Sequence, residues 1–186
     1  MSTPVGPFPE GVDPDAYDRL RRRVLWSLPT GLFVVGSAAG AGSDRRHNLM
    51  TANLVVQVAI SPKLVAVAVE AEAVTAGLIA TGGCFAVSLL AREDRALVRR
   101  FVKPVAEVEL GEDGRPVAMA GVPVMAAPSG CPVLAGALAW LDCALSHSLP
   151  LGSHVLFVGE VSGVGGDVPE GAQVLRMEDT RMSYGG

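Results

Sequence analysis

Few side chains in this sequence could carry acid–base or metal chemistry by themselves. The histidines are His47, His147 and His154, and they fall in one predicted loop and two predicted strands, which is a poor basis for a metal site. Carboxylate pairs such as Glu70 with Glu72 lie in predicted turns, where a solvated charge is the simpler interpretation. No G-x-S-x-G elbow, H-E-x-x-H helix or Cys-x-x-Cys pair occurs. If the chain is an enzyme, its sequence shows no side-chain pattern that is typical of acid–base catalysis.

A bound cofactor can supply the chemistry that the side chains lack. Hydride transfer between two bound cofactors needs orientation and stacking more than a titrating side chain. The protein must then provide a phosphate anchor, backbone amides at the polar edge of one ring, and an open face for the second ring. The glycines at 36, 40 and 42 do not form G-x-G-x-x-G and no helical pattern follows them, so a Rossmann site is excluded.

The segment 48–90 is the predicted cradle for such a ligand. Strict alternation over 64–70 places Val65, Val67 and Val69 on one face and mostly small residues on the other. The small face leaves room for a packed helix or a flat ligand, and the pattern alone favours the helix. A helix is predicted over 74–81, with the Thr75 hydroxyl capping its first turn. A helix start can bind a phosphate, although most bind only water or a capping side chain.

The other patterns predict a chain dominated by antiparallel strands with peripheral helices. Their spacing suits a small closed or nearly closed barrel. The predicted elements in the first half are a helix from Asp15 that Pro29 ends, a strand over 32–36, a polar SDRRHN loop, strands over 51–59, 63–70 and 84–90, and a helix over 92–102. In the second half they are a turn at 111–114, a surface loop or excursion from there to 132, a strand over 133–147, a break at 150–153, and strands over 154–162 and 173–177.

Composition narrows the class of protein. The chain has 186 residues and a formal net charge of −4, which fits one domain with no basic field for nucleic acid. We expect residues 1–14 to be a flexible arm and 15–186 a single domain. Three cysteines cannot all pair, and the sequence shows neither a signal peptide nor a membrane helix, so we expect a cytoplasmic protein that binds no membrane.

The sequence contains four segments that are not specific for a family one by one but are specific as an ordered set. They are NLMTANLVVQVAISPKLVAVAVE, VTAGLIATGGCFAVSLL, AWLDCAL and LGSHVLFVGEV. Together they resemble the flavin reductase-like proteins with the FMN-binding split barrel, the small reductase partners of two-component flavin monooxygenases. The resemblance covers about residues 20–165. It implies a mainly β fold, a six-stranded antiparallel split β-barrel of Greek-key type with peripheral α-helices. It also implies a homodimer with FMN in a groove near the interface.

Carried over residue by residue, the resemblance implies cofactor-binding roles and no catalytic side chain or metal. On the flavin side it places Thr30 at the entry to the first strand, the Thr51-Ala52-Asn53 element at the ring with the segment that follows it, and Thr75 toward the phosphate. On the nicotinamide side it places the GSHV element, residues 152–155. A separate C-terminal element of the family contains an aromatic residue, which corresponds to Tyr184. The full set is Thr30, Thr51, Ala52, Asn53, Val56, Gln57, Val58, Thr75, Gly152, Ser153, His154, Val155 and Tyr184.

Some positions depart from the family pattern or allow another interpretation. Ser153 replaces an Asp and Val155 a hydroxyl residue, and Asn48-Leu49 replaces a His-Gly. These departures concern nicotinamide use more than flavin binding. Thr51 and Asn53 could merely satisfy hydrogen-bonding groups at a strand edge. His154 could be a hydrogen-bonded histidine at the barrel rim. Arg45 and Arg46 could recognise a phosphate, but a solvated role is the simpler one.

The activity that the resemblance implies is NAD(P)H-dependent reduction of FMN, with FAD possible, and the reduced flavin then leaves for a partner monooxygenase. Two alternatives stay open at this point. The chain could be a flavin-binding or ligand-binding barrel without reductase turnover, or a barrel adapted to other catalysis on a small apolar molecule. The sequence does not decide between FMN and FAD, between NADH and NADPH, or which oxygenase is the partner.

Overall fold

The computed structural model describes residues 4–180 and residue 182. Within them the chain forms two α-helices, eleven strands and four short 3-10 turns. The helices are α1 (Pro14–Trp26) and α2 (Val74–Gly82), and the 3-10 turns are Gly42–Asp44, Arg92–Asp94, Leu97–Phe101 and Met177–Asp179. The strands are β1 (Phe33–Ala39), β2 (Arg46–Ala52), β3 (Val55–Ala59), β4 (Leu64–Glu70), β5 (Cys84–Leu89), β6 (Val108–Leu110), β7 (Pro116–Met119), β8 (Val122–Ala126), β9 (Pro132–Leu134), β10 (Ala139–Leu151) and β11 (His154–Gly166).

The main sheet is antiparallel and has the strand order β2-β1-β5-β10-β11-β4-β3. Its two outermost strands, β2 and β3, are consecutive in the chain and are separated only by Asn53 and Leu54. Three residue steps span at most about 10 Å, whereas the edges of a flat seven-stranded sheet would be roughly 29 Å apart. The sheet must therefore curl until its edges meet at this link, which we call the seam.

The mainly β, antiparallel class with few helices is confirmed, but the count of six strands is not reproduced. The predicted strand over 51–59 is interrupted at the seam, so that β2 and β3 are separate strands. β2 also begins at Arg46, inside the predicted polar loop. The chain can be extended there because β2 pairs with β1 along its whole length, from Phe33 opposite Ala52 to Ala39 opposite Arg46.

A second sheet, β6-β7-β8-β9, occupies most of the region predicted as a surface loop. That prediction was wrong because the prolines were interpreted as breakers. Pro116 and Pro132 are the first residues of β7 and β9, where a missing N–H is tolerated. The sheet packs closely on β1, since a Cβ at Gly36 would lie 1.8 Å from the carbonyl oxygen of Pro132.

Three other predicted elements differ from the structure. The predicted helix over 92–102 consists of two 3-10 turns, and the predicted strand over 173–177 is reduced to isolated bridges. The predicted strand over 133–147 is β9 and β10 with a break between them. β10 then runs through Pro150 and reaches Leu151, because a two-residue turn is enough to join it to β11.

The helix predicted from Asp15, the helix predicted over 74–81 and the strand alternation of β4 are confirmed, although α1 ends at Trp26, before Pro29. Asp13 caps α1 by accepting a 3.1 Å hydrogen bond from the Asp15 amide, and Gly83 ends α2 in the left-handed conformation. The bulky face of β4, with Val65, Val67 and Val69 at 5%, 0% and 1% exposure, belongs to the core between the sheet and α2. The expectation that a helix packs on the small-residue face of β4 was therefore wrong, because the bulky valines supply the apolar surface that α2 covers. No helix in the described residues is long and apolar enough to cross a membrane.

Candidate functional site

Two adjoining cavities open at the seam. The large cavity has a volume of about 900 Å³ and the small cavity about 480 Å³. Both are lined by residues from the seam, from the link between β4 and α2, and from the C-terminal segment: Asn53, Glu70, Glu72, Met177 and Met182. These shared walls make the two cavities one continuous groove. The curl of the sheet creates it, because the seam brings the end of β2 beside the end of β4.

The large cavity has an apolar wall and a polar wall. The end of α1 and the residues after it supply the apolar wall, with Leu25, Trp26 and Leu28, and Thr30 follows them. The turn between β10 and β11 supplies the polar wall, with Gly152, Ser153 and His154. Leu25 and Leu28 are 56% and 62% exposed. The apolar wall is therefore open to a ligand or to another chain.

The turn of the β10–β11 hairpin is fixed against β4. Gly152 has a φ of 65°, which a glycine adopts without strain. The Ser153 carbonyl accepts a 2.9 Å hydrogen bond from the Ala71 amide, and His154 lies opposite Glu70 in the strand register. The Ser153 hydroxyl is 2.9 Å from Nδ1 of His154. The turn thus places a half-buried imidazole at the rim of the groove.

A buried amide joins three walls of the small cavity. Asn48 is 3% exposed; its Nδ2 donates to the Thr75 hydroxyl at 2.9 Å, and its Oδ1 accepts from the Val105 amide at 2.9 Å. The segment before Val105 carries Lys103, which also lines the cavity. Asn48 was not among the predicted site residues. The sequence carried no clear signal for it, because Asn48 is the last residue of the predicted polar SDRRHN loop.

Thr75 does not cap α2 as predicted. The N-cap is Ala73, with no side-chain cap hydrogen bond, and Thr75 is the second helical residue, 1% exposed and engaged by Asn48. The first turn of α2 nevertheless lines the small cavity together with Lys103. A helix start carries a partial positive charge. With a lysine beside it, this end of the groove fits a phosphate group.

The structure brings about half of the predicted residues to the groove. Its lining includes Thr30, Thr51, Asn53, Thr75, Gly152, Ser153 and His154. Ala52 is buried in the core, and Val155 packs against the same core cluster. Val56, Gln57 and Val58 lie on the exposed face and edge of β3, away from both cavities. Tyr184 lies outside the described residues.

Other side chains near the groove have defined partners. The Thr51 hydroxyl donates to the Val98 carbonyl at 2.5 Å, which fixes the segment that leads to Lys103. Arg45 donates to the Ser129 carbonyl at 2.8 Å, and neither Arg45 nor Arg46 lines the groove. Partial burial, together with the charge of Arg45, lowers the pKa of His47.

The groove suits the binding of two flat, polar-edged ligands better than side-chain catalysis. Among the described residues, no three His, Cys, Asp or Glu side chains are grouped to hold a metal ion. The charged groups of the lining are Glu70, Glu72 and Lys103. Sequence patterns had assigned the two glutamates to solvated turns, because the contact between the seam and the β4–α2 link is visible only in the folded chain.

Comparison with known proteins gives one family. Residues 25–184 match the model described as "Flavin reductase like domain". The chain is 35% identical over 166 residues to an "NADH-dependent FAD reductase" of Streptomyces globisporus, covering 87% of this chain and 82% of that protein.

Two solved structures have the same fold. One is the NADH:FAD oxidoreductase of Streptomyces globisporus C-1027 in complex with NAD and FAD fragments, with a TM-score of 0.69, 31% identity, and coverage of 96% of this chain and 98% of that one. The other is the styrene monooxygenase flavin reductase of Pseudomonas putida S12, with a TM-score of 0.62, 25% identity, and coverage of 80% and 87%.

Proposed function

This chain belongs to the flavin reductase-like family, and we propose that it is an NADH-dependent flavin reductase that supplies reduced flavin to a partner monooxygenase. The observation that carries the proposal is the continuous groove, with a phosphate-compatible helix start at one end and the Gly152–His154 turn at the other. The relative that uses NADH and FAD supports the choice of cofactors, with FMN as the smaller flavin to be tested beside FAD.

In this proposal the small cavity and the seam hold the flavin. The first turn of α2 and Lys103 hold its phosphate, and Thr51 and Asn53 lie along the ring. The nicotinamide cofactor enters the large cavity between the apolar wall and the Gly152–His154 turn. When bound, the two cofactors supply the hydride acceptor and the hydride donor. The protein orients them face to face and shields the contact with apolar side chains.

The finer architecture is part of the proposal. We infer that β2 and β3 are one strand of a six-stranded split barrel, interrupted by Asn53 and Leu54. We also infer a homodimer, because apolar side chains are exposed at the end of α1, beside the groove, and on β3 and the residue after it, outside the groove. These include Leu25, Leu28, Val56, Val58 and Ile60, at 50–80% exposure. A second copy of the chain would cover apolar side chains that a monomer leaves in water.

Two considerations support a partner monooxygenase: the release of reduced flavin and the function named for one solved relative. A reductase that holds its flavin in an open groove can release the reduced product, and one solved relative is a styrene monooxygenase flavin reductase. We propose a partner that receives reduced flavin by diffusion, so that no large docking surface is required.

A second candidate function is flavin binding without turnover. Val155, which follows the Gly152–His154 turn, packs into the core where the family pattern has a hydroxyl residue. If that hydroxyl is needed to hold the nicotinamide, the chain would bind flavin and not reduce it.

One experiment separates the two functions. The purified protein is mixed anaerobically with FMN or FAD and excess NADH, and the flavin absorbance near ~450 nm is followed, since bleaching requires hydride transfer. We expect bleaching at a rate proportional to protein concentration. Binding seen by flavin fluorescence without bleaching would establish the second candidate. Absence of binding to either flavin would overturn both.

A further inference from the structure

A pair of cysteines lies where the two sheets meet, remote from the groove. Cys84 is the first residue of β5 in the main sheet, and Cys131 directly precedes β9 in the second sheet. Their sulfur atoms are 3.4 Å apart, although the residues are 47 positions apart in the chain. Both are free thiols. A disulfide is about 2.05 Å long, so the sulfurs would have to approach by only about 1.4 Å.

Polar groups fix the position of Cys131. Its amide donates to the Ser129 hydroxyl at 3.2 Å, and that hydroxyl donates to Asp142 at 2.6 Å. The Ser129 amide donates to the other oxygen of Asp142 at 2.8 Å, and Arg45 binds the Ser129 carbonyl. Asp142 is 1% exposed, so this network is a built feature of the interior. It holds Cys131 against Cys84.

We propose that Cys84 and Cys131 are an oxidation site that hydrogen peroxide converts to an intrachain disulfide joining the two sheets. Cys84 is the attacking thiol because it is 9% exposed, whereas Cys131 is fully buried. The pair belongs to a buried cluster made mostly of small residues, such as Ala38, Ala86 and Ala127. The proposal goes beyond the reductase activity and does not depend on it.

The ionisation of the pair agrees with these roles. The hydrogen bond from Cys131 lowers the pKa of Cys84 to about 6, against the opposing effect of burial. The same hydrogen bond, together with burial, raises the pKa of Cys131. Because the thiolate is the nucleophile, Cys84 attacks the peroxide first, and Cys131 gives up its proton to the leaving hydroxide as it attacks in the second step.

The reaction balances in two steps. In the first, the Cys84 sulfur bonds to one peroxide oxygen, the O–O bond breaks, and the departing hydroxide takes up a proton, leaving a sulfenic acid. In the second, the Cys131 sulfur attacks the Cys84 sulfur, the S–S bond forms, the S–O bond breaks, and hydroxide leaves as water with the Cys131 proton. Two thiols are oxidised and one peroxide is reduced to two waters. The peroxide is available wherever free reduced flavin meets dioxygen.

The test uses the full chain without flavin, so its outcome does not depend on the proposed function. The protein is treated with a small excess of hydrogen peroxide, denatured, and analysed by thiol titration and intact mass. We expect the free thiols to fall from three to one, with a mass loss of about 2 Da and a Cys84–Cys131 link in the unreduced peptide map. Dithiothreitol should restore three thiols. The oxidised protein should also unfold about 5 °C higher, because the link constrains the unfolded chain.

Variants assign the roles and provide the control. C131A should stop at a sulfenic acid on Cys84, which dimedone traps, and C84A should lose no thiol at the same peroxide dose. C143A is the matched control, since Cys143 is equally buried but belongs to the other core cluster; this variant should still form the link. Retention of three thiols by the unmodified chain, or a link that involves Cys143 or a second chain, would overturn the proposal. Either result is readable on the unmodified protein even if a variant does not fold.

Discussion

At the scale of single residues, the β10–β11 hairpin contains two similar Ser–His pairs, one at the groove and one outside it. Ser153 and His154 pair through the Ser hydroxyl and Nδ1 at 2.9 Å, and Ser146 and His147 pair in the same way at 2.6 Å on the same hairpin. Only His154 lines the groove; His147 is exposed. Each imidazole thus has the same neighbouring hydroxyl, but His154 is half-buried at the groove and His147 is exposed outside it.

We therefore expect His154→Ala to raise the KM for NADH about tenfold, as the loss of one hydrogen bond of ~1.4 kcal/mol implies. Flavin affinity should be nearly unchanged, because the flavin lies on the other side of the groove in the proposed arrangement. Steady-state kinetics and fluorescence titration measure the two effects. His147→Ala should match the unmodified protein in both; a fall in flavin affinity with an unaltered KM would contradict the assignment.

Asn48 leads to a second prediction. Asn48→Ala removes two hydrogen bonds that position the start of α2 and the segment carrying Lys103. The affinity for FMN should fall about tenfold, while riboflavin, which has no phosphate, should bind almost as before. Fluorescence titration with both flavins measures this. Gln57→Ala is the control, since Gln57 is an exposed amide outside the groove. An equal loss for FMN and riboflavin would show that Asn48 supports only the fold.

At the scale of elements, local patterns predicted what local interactions decide. The helical spacing of α1 and α2, the glycine end of α2 and the alternation of strand β4 follow from periodicity and capping. The break at Asn53 and Leu54 could not be predicted in this way, because the curl of the whole sheet requires it. The second sheet was missed because β7 and β9 begin at prolines. Glu70 and Glu72 were missed as groove residues because the contact is long-range.

Helix α2 offers a test of its packing against β1. A Cβ at Gly82 would lie 1.9 Å from the Ala38 carbonyl oxygen, whereas a Cβ at Gly77 would meet nothing within 4 Å. Gly82→Ala should therefore lower the free energy of unfolding by about 2 kcal/mol or more. Gly77→Ala should raise it by about 0.5–1 kcal/mol, because alanine favours the helix. Chemical denaturation measures both; two effects of the same sign would show that the packing of α2 on β1 is not as described.

At the scale of the whole molecule, the exposed apolar side chains of β3 and of the end of α1 predict assembly. β3 is an outermost strand of its sheet with Val56 and Val58 exposed, and an uncovered apolar edge strand is prone to aggregate. A second copy that covers β3 and the end of α1 would remove this liability and close the open side of the large cavity.

Light scattering should therefore give twice the 19.2 kDa chain mass. Val58→Asp should shift the protein toward a monomer, because it would bury a charge in the interface. Val117→Asp is the matched control, since Val117 is exposed to a similar extent, 48% against 50%, but lies on the second sheet. A monomeric unmodified chain, or equal behaviour of the two variants, would rule out this interface.

The seam has a consequence for how the chain folds. The pairs β1–β2, β3–β4 and β10–β11 are between consecutive strands, but the sheet closes at the seam only when the distant pairs β1–β5, β5–β10 and β4–β11 have also formed. Pairings between distant segments form slowly because a long loop must be closed first. The groove therefore exists only after the last long-range pairing is made. Flavin should bind only the complete fold, and excess flavin should slow global unfolding and leave the early hairpins unaffected.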